Sequence, residues 1–312
     1  MCLCVRLWTI ARGLLSWPDM TRITVTHFTD PACPFAYSAA PALAVLHWRY
    51  GEQLDWRLVT IGLSDSPRRY VEAGYTPAAM AAGVRNRFRR FGMPLTTQPR
   101  SRVVASSRAC RAIHAARRLH PGREEQVLRA LQFGWFTTTL LMDEDDDIAT
   151  ALSRVEEIDG AAVTAAIDDP EIVAAYEQDK DQTRQAAGSP TEFQGKARQT
   201  DGPVRYSAPS LVFRSTDGRR LEAGGFQPLE AYDVLIANLD STLDRRGPAE
   251  GPLEALRAFP DGLVTQEIAA IMAPNNAAPD APAAEQALIE LAGGGEVRRE
   301  PLADDALWRV AA

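Results

Sequence analysis

"FTDPACPFAYSAAPAL", residues 28–43, carries a single cysteine from the end of an apolar run into the start of a helical pattern. The run before it, "RITVTHF" at 22–28, is β-branched and aromatic, which reads as a buried strand closed by the "TDP" turn. After it, Phe35, Ala39, Leu43 and Leu46, with Ala36, Ala40 and Val45 beside them, recur at helical spacing until Gly51 stops the pattern. Cys33 is thereby at the helix N-cap, with Pro34 at the first helical position, where a missing N–H costs nothing. Pro41 falls inside the helix and is expected to kink it. A sulfur at such a corner faces orphan N–H groups and the positive end of the helix dipole, which predicts a thiol pKa lowered from ~8.5 into the range ~3.5 to ~7.5. The plain alternative is a small buried core thiol, the usual fate of an unpaired cysteine.

Working outward, "LDWRLVTIGL" (54–63) is a second strand one helix after the first, so strand, helix and strand make a parallel βαβ unit. From 67 to 187 the pattern is helical throughout, over roughly 76–91, 101–119, 123–141, 147–155, 161–168 and 170–187. Strand character returns at "SLVFRS" (210–215) and "LEAGGF" (221–226), an antiparallel hairpin across "DGRR", and a helix over 228–243 closes the unit. The expectation is an α/β fold, β-α-β then β-β-α, built from 21–63 and 207–243. Residues 64–206 form its helical insertion, whose polar end, 188–206, is either a lid beside the active site or an exposed loop. Residues 244–252 have linker composition, and 253–312 read as helices followed by a wing, a small winged-helix-like module.

"YSAPSLVF" sets Pro209 directly before a strand that belongs in the middle of the sheet, where proline is excluded unless the peptide bond is special. A cis Ala208–Pro209 bond would turn the N–H and C=O of Ala208 toward the Cys33 corner, where they could pair with an extended ligand.

"FTDPACPF" and the downstream "SAPSLVF", split by a helical insertion, resemble the DsbA-like thioredoxin-fold oxidoreductases. The likeness covers about 22–243 and includes "LQFGWFTTTLLMDEDDDIATAL". Within the family the chain looks like the branch of FrnE-like proteins, 2-hydroxychromene-2-carboxylate isomerases and kappa-class glutathione transferases. The resemblance implies a catalytic Cys33, with Pro34, Phe35, Ala208 and Pro209 contacting substrate. Where dithiol members carry the resolving cysteine, this chain has Ala36. A monothiol exchange enzyme then needs an outside thiol, glutathione-like or mycothiol-like, as co-substrate, with no permanently bound cofactor. Two other readings stay open: a thiol-dependent isomerase or transferase, and a non-catalytic binding protein on the same fold.

Composition narrows the partners. A net charge of −7 over 312 residues argues against nucleic acid and anionic membrane, and the resemblance implies a small thiol or a protein disulfide as partner. Four cysteines in so long a chain make no disulfide framework, and a reducing, cytoplasmic setting is expected. No run approaches 18 apolar residues, and Arg6 and Arg12 interrupt any signal-peptide core, so residues 1–20 read as a disordered extension. Asp30, three residues before Cys33, either relays a proton or shapes the turn through an Asx bond, the latter favoured. Cys110 in "SSRACRAIHAARRL" reads as a core or interface cysteine on a helix, with an auxiliary role in resolving Cys33 as the alternative. The four histidines show no metal-ligand spacing, and "DEDDD" (143–147) is the acidic start of a helix rather than a cation site. The Arg-rich stretches 85–90 and 100–118 are solvated faces, or else a patch for an anionic substrate. Residues 246–312 carry five Arg or Lys against eleven Asp or Glu, the wrong sign for reading DNA, so this module is one for docking or dimerisation and a homodimer is an assembly it allows.

Overall fold

The protein is described by a computed structural model covering residues 23–200 and 202–311. The N-terminal extension expected over 1–20 lies outside the described residues. A four-stranded sheet in the order β2-β1-β3-β4 is the centre of the molecule: β1 (Ile23–Thr29), β2 (Leu54–Thr60), β3 (Ser210–Arg214) and β4 (Arg220–Ala223). β1 runs parallel to β2 and antiparallel to β3, and β3 and β4 form an antiparallel hairpin. This is the β-α-β and β-β-α arrangement read from the sequence. β1 is almost wholly buried because it has a strand on each side and packed residues on both faces. On one face Ile23, Val25, Leu211 and Phe213 pack against Leu46, Tyr232 and Ile236; on the other Phe28, Val59, Ile61 and Val212 pack against Ala186 and Tyr206.

The helix after Cys33 is two pieces, α1 (Pro34–Ser38) and α2 (Ala40–Tyr50), broken at Ala39. Pro41 is the cause expected from sequence: it has no N–H for the Tyr37 carbonyl, and the ladder is interrupted one turn before its ring. The insertion then contributes α3 (Arg68–Glu72), α4 (Pro77–Phe88), α5 (Ser107–Leu119), α6 (Glu124–Thr137), α7 (Asp145–Leu152), α8 (Gly160–Ala166), α9 (Pro170–Thr183) and the single turn α10 (Pro190–Phe193). Several expected boundaries move, three of them for a visible local reason. Residues 101–106 are not helical, because Ser106 N–H donates to Ser64 Oγ and Ser106 Oγ donates to Asp30, which ties this stretch to the sheet's end. α6 stops at Thr137 instead of 141, where the Thr137 and Thr138 hydroxyls donate back to the carbonyls of Phe133 and Gly134 and Thr138 turns extended. α4 stops at Phe88, and the chain tightens to a turn that ends at Gly92, whose φ of 77° suits a residue without a side chain. The segment 188–206 is anchored near its ends, where Ala186 N–H donates to the Val204 carbonyl, Tyr206 N–H to that of Thr183, and Arg198 and Arg205 form a β-bridge, while 193–196 and 198–200 are exposed.

α11 (Leu229–Leu239) completes the central fold. Of the expected linker 244–252, residues 244–251 carry neither helix nor strand yet are pinned across the end of α2, and Pro252 already opens the next helix. Arg246 N–H donates to the Arg49 carbonyl, Trp48 Nε1–H donates to Gly247, and the Arg246 guanidinium sits 3.3 Å from the Trp48 ring centre. Beyond them α12 (Pro252–Ala258), β5 (Leu263–Val264), α13 (Thr265–Met272), α14 (Ala281–Gly293), β6 (Val297–Leu302) and β7 (Asp305–Val310) form a module with its own antiparallel sheet, β5-β7-β6. Its core continues into α2 through Ala44, Val45 and Trp48. A bidentate ion pair from Arg129 on α6 to the buried Glu267 on α13 adds a second attachment.

Candidate functional site

The site is built at the C-terminal end of β1. Asp30 closes the strand with an Asx turn, its Oδ1 accepting from Ala32 N–H at 2.9 Å, while the Cys33 N–H donates to the Asp30 carbonyl at 3.0 Å. Cys33 then takes the extended N-cap conformation (φ −82°, ψ 113°) with Pro34 at the first helical position, as the sequence requires. β3 pairs with β1 so that Ser210 stands opposite Phe28, which brings the residues before β3 alongside the Cys33 corner. The Ala208–Pro209 peptide is cis, and the Cys33 thiol donates to the Ala208 carbonyl at 3.3 Å across 175 residues of sequence. Among the described residues the Ala208 N–H meets no acceptor. The turn is fixed from behind: Ser210 Oγ donates to the Ser207 carbonyl and accepts from Gly225 N–H, and Ser207 Oγ donates to Lys196.

The electrostatics of Cys33 overturn the expected lowered pKa. Burial lifts this thiol to about 12, against the pull of the Ala36 and Phe35 N–H groups that point at the sulfur. The nearby Asp30 raises it further and Arg205 lowers it. The helical pattern from Pro34 to Gly51 predicts one long dipole behind the sulfur, whereas α1 is five residues long and Cys33 is 6% exposed. Desolvation of an anion outweighs two hydrogen bonds and a short dipole. Cys33 is thus a thiol that donates its hydrogen to the Ala208 carbonyl.

Asp30 does the turn-shaping favoured from sequence and more. Its Oδ2 accepts from Leu63 N–H at 2.8 Å, Ser106 Oγ at 3.0 Å and the Cys110 thiol at 3.5 Å. Burial raises the Asp30 pKa, and these donors act the other way. Cys110 is fully enclosed in α5, its thiol held well above the ordinary range by burial and by Asp30. It belongs to the packing behind the Asp30 turn, where its thiol donates to Asp30.

One wall of the site is aromatic. Phe35, 43% exposed, meets Phe88 edge-on at 4.7 Å and Phe226 at 5.9 Å, and Phe226 meets Phe91 at 4.8 Å. Sequence reasoning named Phe35 alone; "RFRRF" (87–91) and "GGF" (224–226) held the rest, without periodicity to link them. The Arg90 guanidinium lies 4.8 Å from the Phe91 ring centre, and among the described residues Arg87, Arg89 and Arg90 have no carboxylate partner. The second Arg-rich stretch differs: Arg102, Arg108, Arg111, Arg117 and Arg118 are all ion-paired, Arg102 and Arg108 to the acidic residues that open α7. His114 is a core side chain between Thr60 and Asp179, and among the described residues no three His, Cys, Asp or Glu side chains are grouped to hold a metal ion.

Residues 24–207, more than half of the chain, match the family described as DSBA-like thioredoxin domain. Among solved structures, a Nitrosomonas europaea protein described as a protein disulfide isomerase is 15% identical, with 70% of this chain and 97% of that one covered at a TM-score of 0.53. A Streptomyces coelicolor protein described as a DsbA oxidoreductase is 17% identical, covering 73% and 93% at a TM-score of 0.51. The cytosolic disulfide reductase DsbM from Pseudomonas aeruginosa is 19% identical, covering 70% and 98% at a TM-score of 0.48. No curated protein matches the chain in sequence. At such identities the structural likeness speaks for the fold, and the match over 24–207 carries the assignment: this chain is a member of the DSBA-like thioredoxin domain family.

Proposed function

We propose that the protein catalyses thiol–disulfide exchange through Cys33 alone, with an external low-molecular-weight thiol completing each cycle. The observation that carries this reading is the contact between the Cys33 thiol and the Ala208 carbonyl, which joins a helix-corner cysteine to an edge of backbone able to hold an extended ligand. A substrate chain lying along Ala208 would donate to its carbonyl and accept from its N–H, taking the carbonyl from the thiol. The sulfur then keeps the N–H groups of Ala36 and Phe35, and attack becomes easier. Cys33 sulfur bonds to one sulfur of the substrate disulfide, the S–S bond breaks, and the leaving thiolate takes the Cys33 proton. A small thiol next attacks the mixed disulfide, forms the new disulfide with the substrate sulfur, and returns Cys33 as a thiol. Ala36 makes the outside thiol necessary, and Arg87, Arg89 and Arg90 beside the aromatic wall favour an anionic one, of glutathione-like or mycothiol-like chemistry. A pool of such reduced thiol implies a cytoplasmic setting.

The raised pKa of Cys33 favours a second reading, in which a bound small thiol supplies the reactive sulfur and Cys33 donates a hydrogen bond to its thiolate, as a thiol-dependent isomerase or transferase would need. Incubation with glutathione disulfide followed by intact-mass measurement separates the two. Exchange predicts one glutathionyl group on Cys33, lost on adding reduced glutathione and absent in Cys33→Ser. Protein that stays adduct-free, while Cys33→Ser still turns over a glutathione-dependent substrate, overturns exchange.

A further inference from the structure

We propose that Asp304, at the tip of the β6–β7 hairpin, is a positioning residue for the aromatic wall beside Cys33. Phe88 and Phe91 stand at the end of α4, and the chain leaves them through Gly92 to Leu95. That short exit is held from three directions. Tyr37 on α1 donates its hydroxyl hydrogen to the Pro94 carbonyl at 2.9 Å, and Thr96 N–H donates to Phe136 on α6 at 2.8 Å. The third hold comes from the C-terminal module: Leu95 N–H donates to Asp304 Oδ1 at 2.7 Å, and Arg85 of α4 pairs with the other carboxylate oxygen while donating to the Leu95 carbonyl at 3.2 Å. Gln266 of α13 lies against Gly92, so close that a side chain there would meet it.

Asp304 therefore fixes both ends of the segment carrying the two phenylalanines, one through Arg85 and one through Leu95. From Phe88 and Phe91 the contact passes to Phe35 and Phe226, and Phe35 is two residues from the sulfur. The hairpin tip itself is tight, with Ala303 at a φ of 51°, so Asp304 is presented at one height and has little freedom to follow a moving α4. Anything that shifts the C-terminal module shifts this wall. That the wall selects substrates rests on the exchange reading, whereas its being held by Asp304 does not.

The test uses the full chain labelled with fluorinated phenylalanine, comparing the unaltered protein, Asp304→Ala, Asp304→Asn and Arg85→Gln by ¹⁹F NMR. The expected result is that the Phe88 and Phe91 resonances shift or broaden in Asp304→Ala, those of Phe35 and Phe226 follow, and Phe213, buried against Tyr232 and outside the wall's ring contacts, stays in place. Asp304→Asn, which retains an acceptor for Leu95 but loses the charge facing Arg85, should give a smaller change, and Arg85→Gln should reproduce part of it even if Asp304→Ala fails to fold. The second readout is the rate of mixed-disulfide formation at Cys33 with an aromatic disulfide relative to hydroxyethyl disulfide, a ratio expected to fall threefold or more in Asp304→Ala with the small reagent's rate changed less than twofold. Wall resonances that stay fixed, or changes spread equally to Phe213, overturn the proposal. Wall resonances that move in a protein whose Cys33 forms no mixed disulfide uphold it and sink the exchange reading instead.

Discussion

Removing the proton from Cys33 is the perturbation that the site's structure makes most demanding. Burial lifts the thiol from 9.0 to about 12. At pH 8 that leaves roughly a thousandfold less thiolate than an ordinary cysteine holds, by the usual tenfold per pH unit. A more basic thiolate is also a better nucleophile, and a Brønsted slope near 0.4 to 0.5 over three units returns about 25-fold. The net expectation is a rate with hydroxyethyl disulfide about 40-fold below that of the same cysteine in the urea-unfolded chain. The assay follows the Cys33 peptide by mass spectrometry from pH 6 to 11, so that Cys2, Cys4 and Cys110 do not confuse it. The rate should climb with unit slope across the whole range. A peptide disulfide able to pair with Ala208 should recover much of the 40-fold, because it removes the carbonyl that holds the thiol hydrogen. An inflection below pH 8, or a folded rate equal to the unfolded one, would refute the burial argument.

Three further outcomes are expected. Asp233 accepts from Arg49, Tyr50, Arg245 and Asn276, and Asp233→Ala would strand the buried Arg49 charge, costing about 3 to 5 kcal/mol in urea unfolding. His27 is buried with its pKa lowered from 6.5 to about 3 by desolvation, so between those values the unfolded chain binds the extra proton and stability falls as pH falls. The ceiling is roughly 5 kcal/mol, and His27→Leu should flatten the stability profile between pH 6 and 3. Ala303→Gly relieves a left-handed backbone at the hairpin tip and should stabilise by about 1 kcal/mol, read as a raised Tm.

The central fold was legible because its elements are marked locally: "RITVTHF" and "LDWRLVT" are β-branched runs, and Gly51 and Pro228 mark helix limits. Cys33 and Ala208 were legible for a related reason, since a cysteine before Pro34 and a proline before a central strand each conflict with an ordinary element. The helix limits at 106 and 137 were hidden because side chains decide them, Ser106 by reaching Asp30 and Thr137 by bonding back within its own helix. The thiol's pKa was misjudged because dipole and capping can be read from a local pattern, whereas burial is set by residues far along the chain. The same distance hid Phe88, Phe91 and Phe226, which share no period and meet only after folding.

β1 lies in the middle of the sheet, but its antiparallel neighbour β3 begins about 180 residues later. On a ribosome adding roughly 5 to 20 residues per second, β1 and β2 wait on the order of 10 to 35 seconds with one edge of β1 unpaired. Through that interval Ala208 does not yet exist, so Cys33 is an ordinary exposed thiol, more open to oxidants than it will ever be in the finished protein. The sulfur's most vulnerable period precedes its working life, and the nascent chain, rather than the folded enzyme, is where damage to Cys33 by peroxide should concentrate.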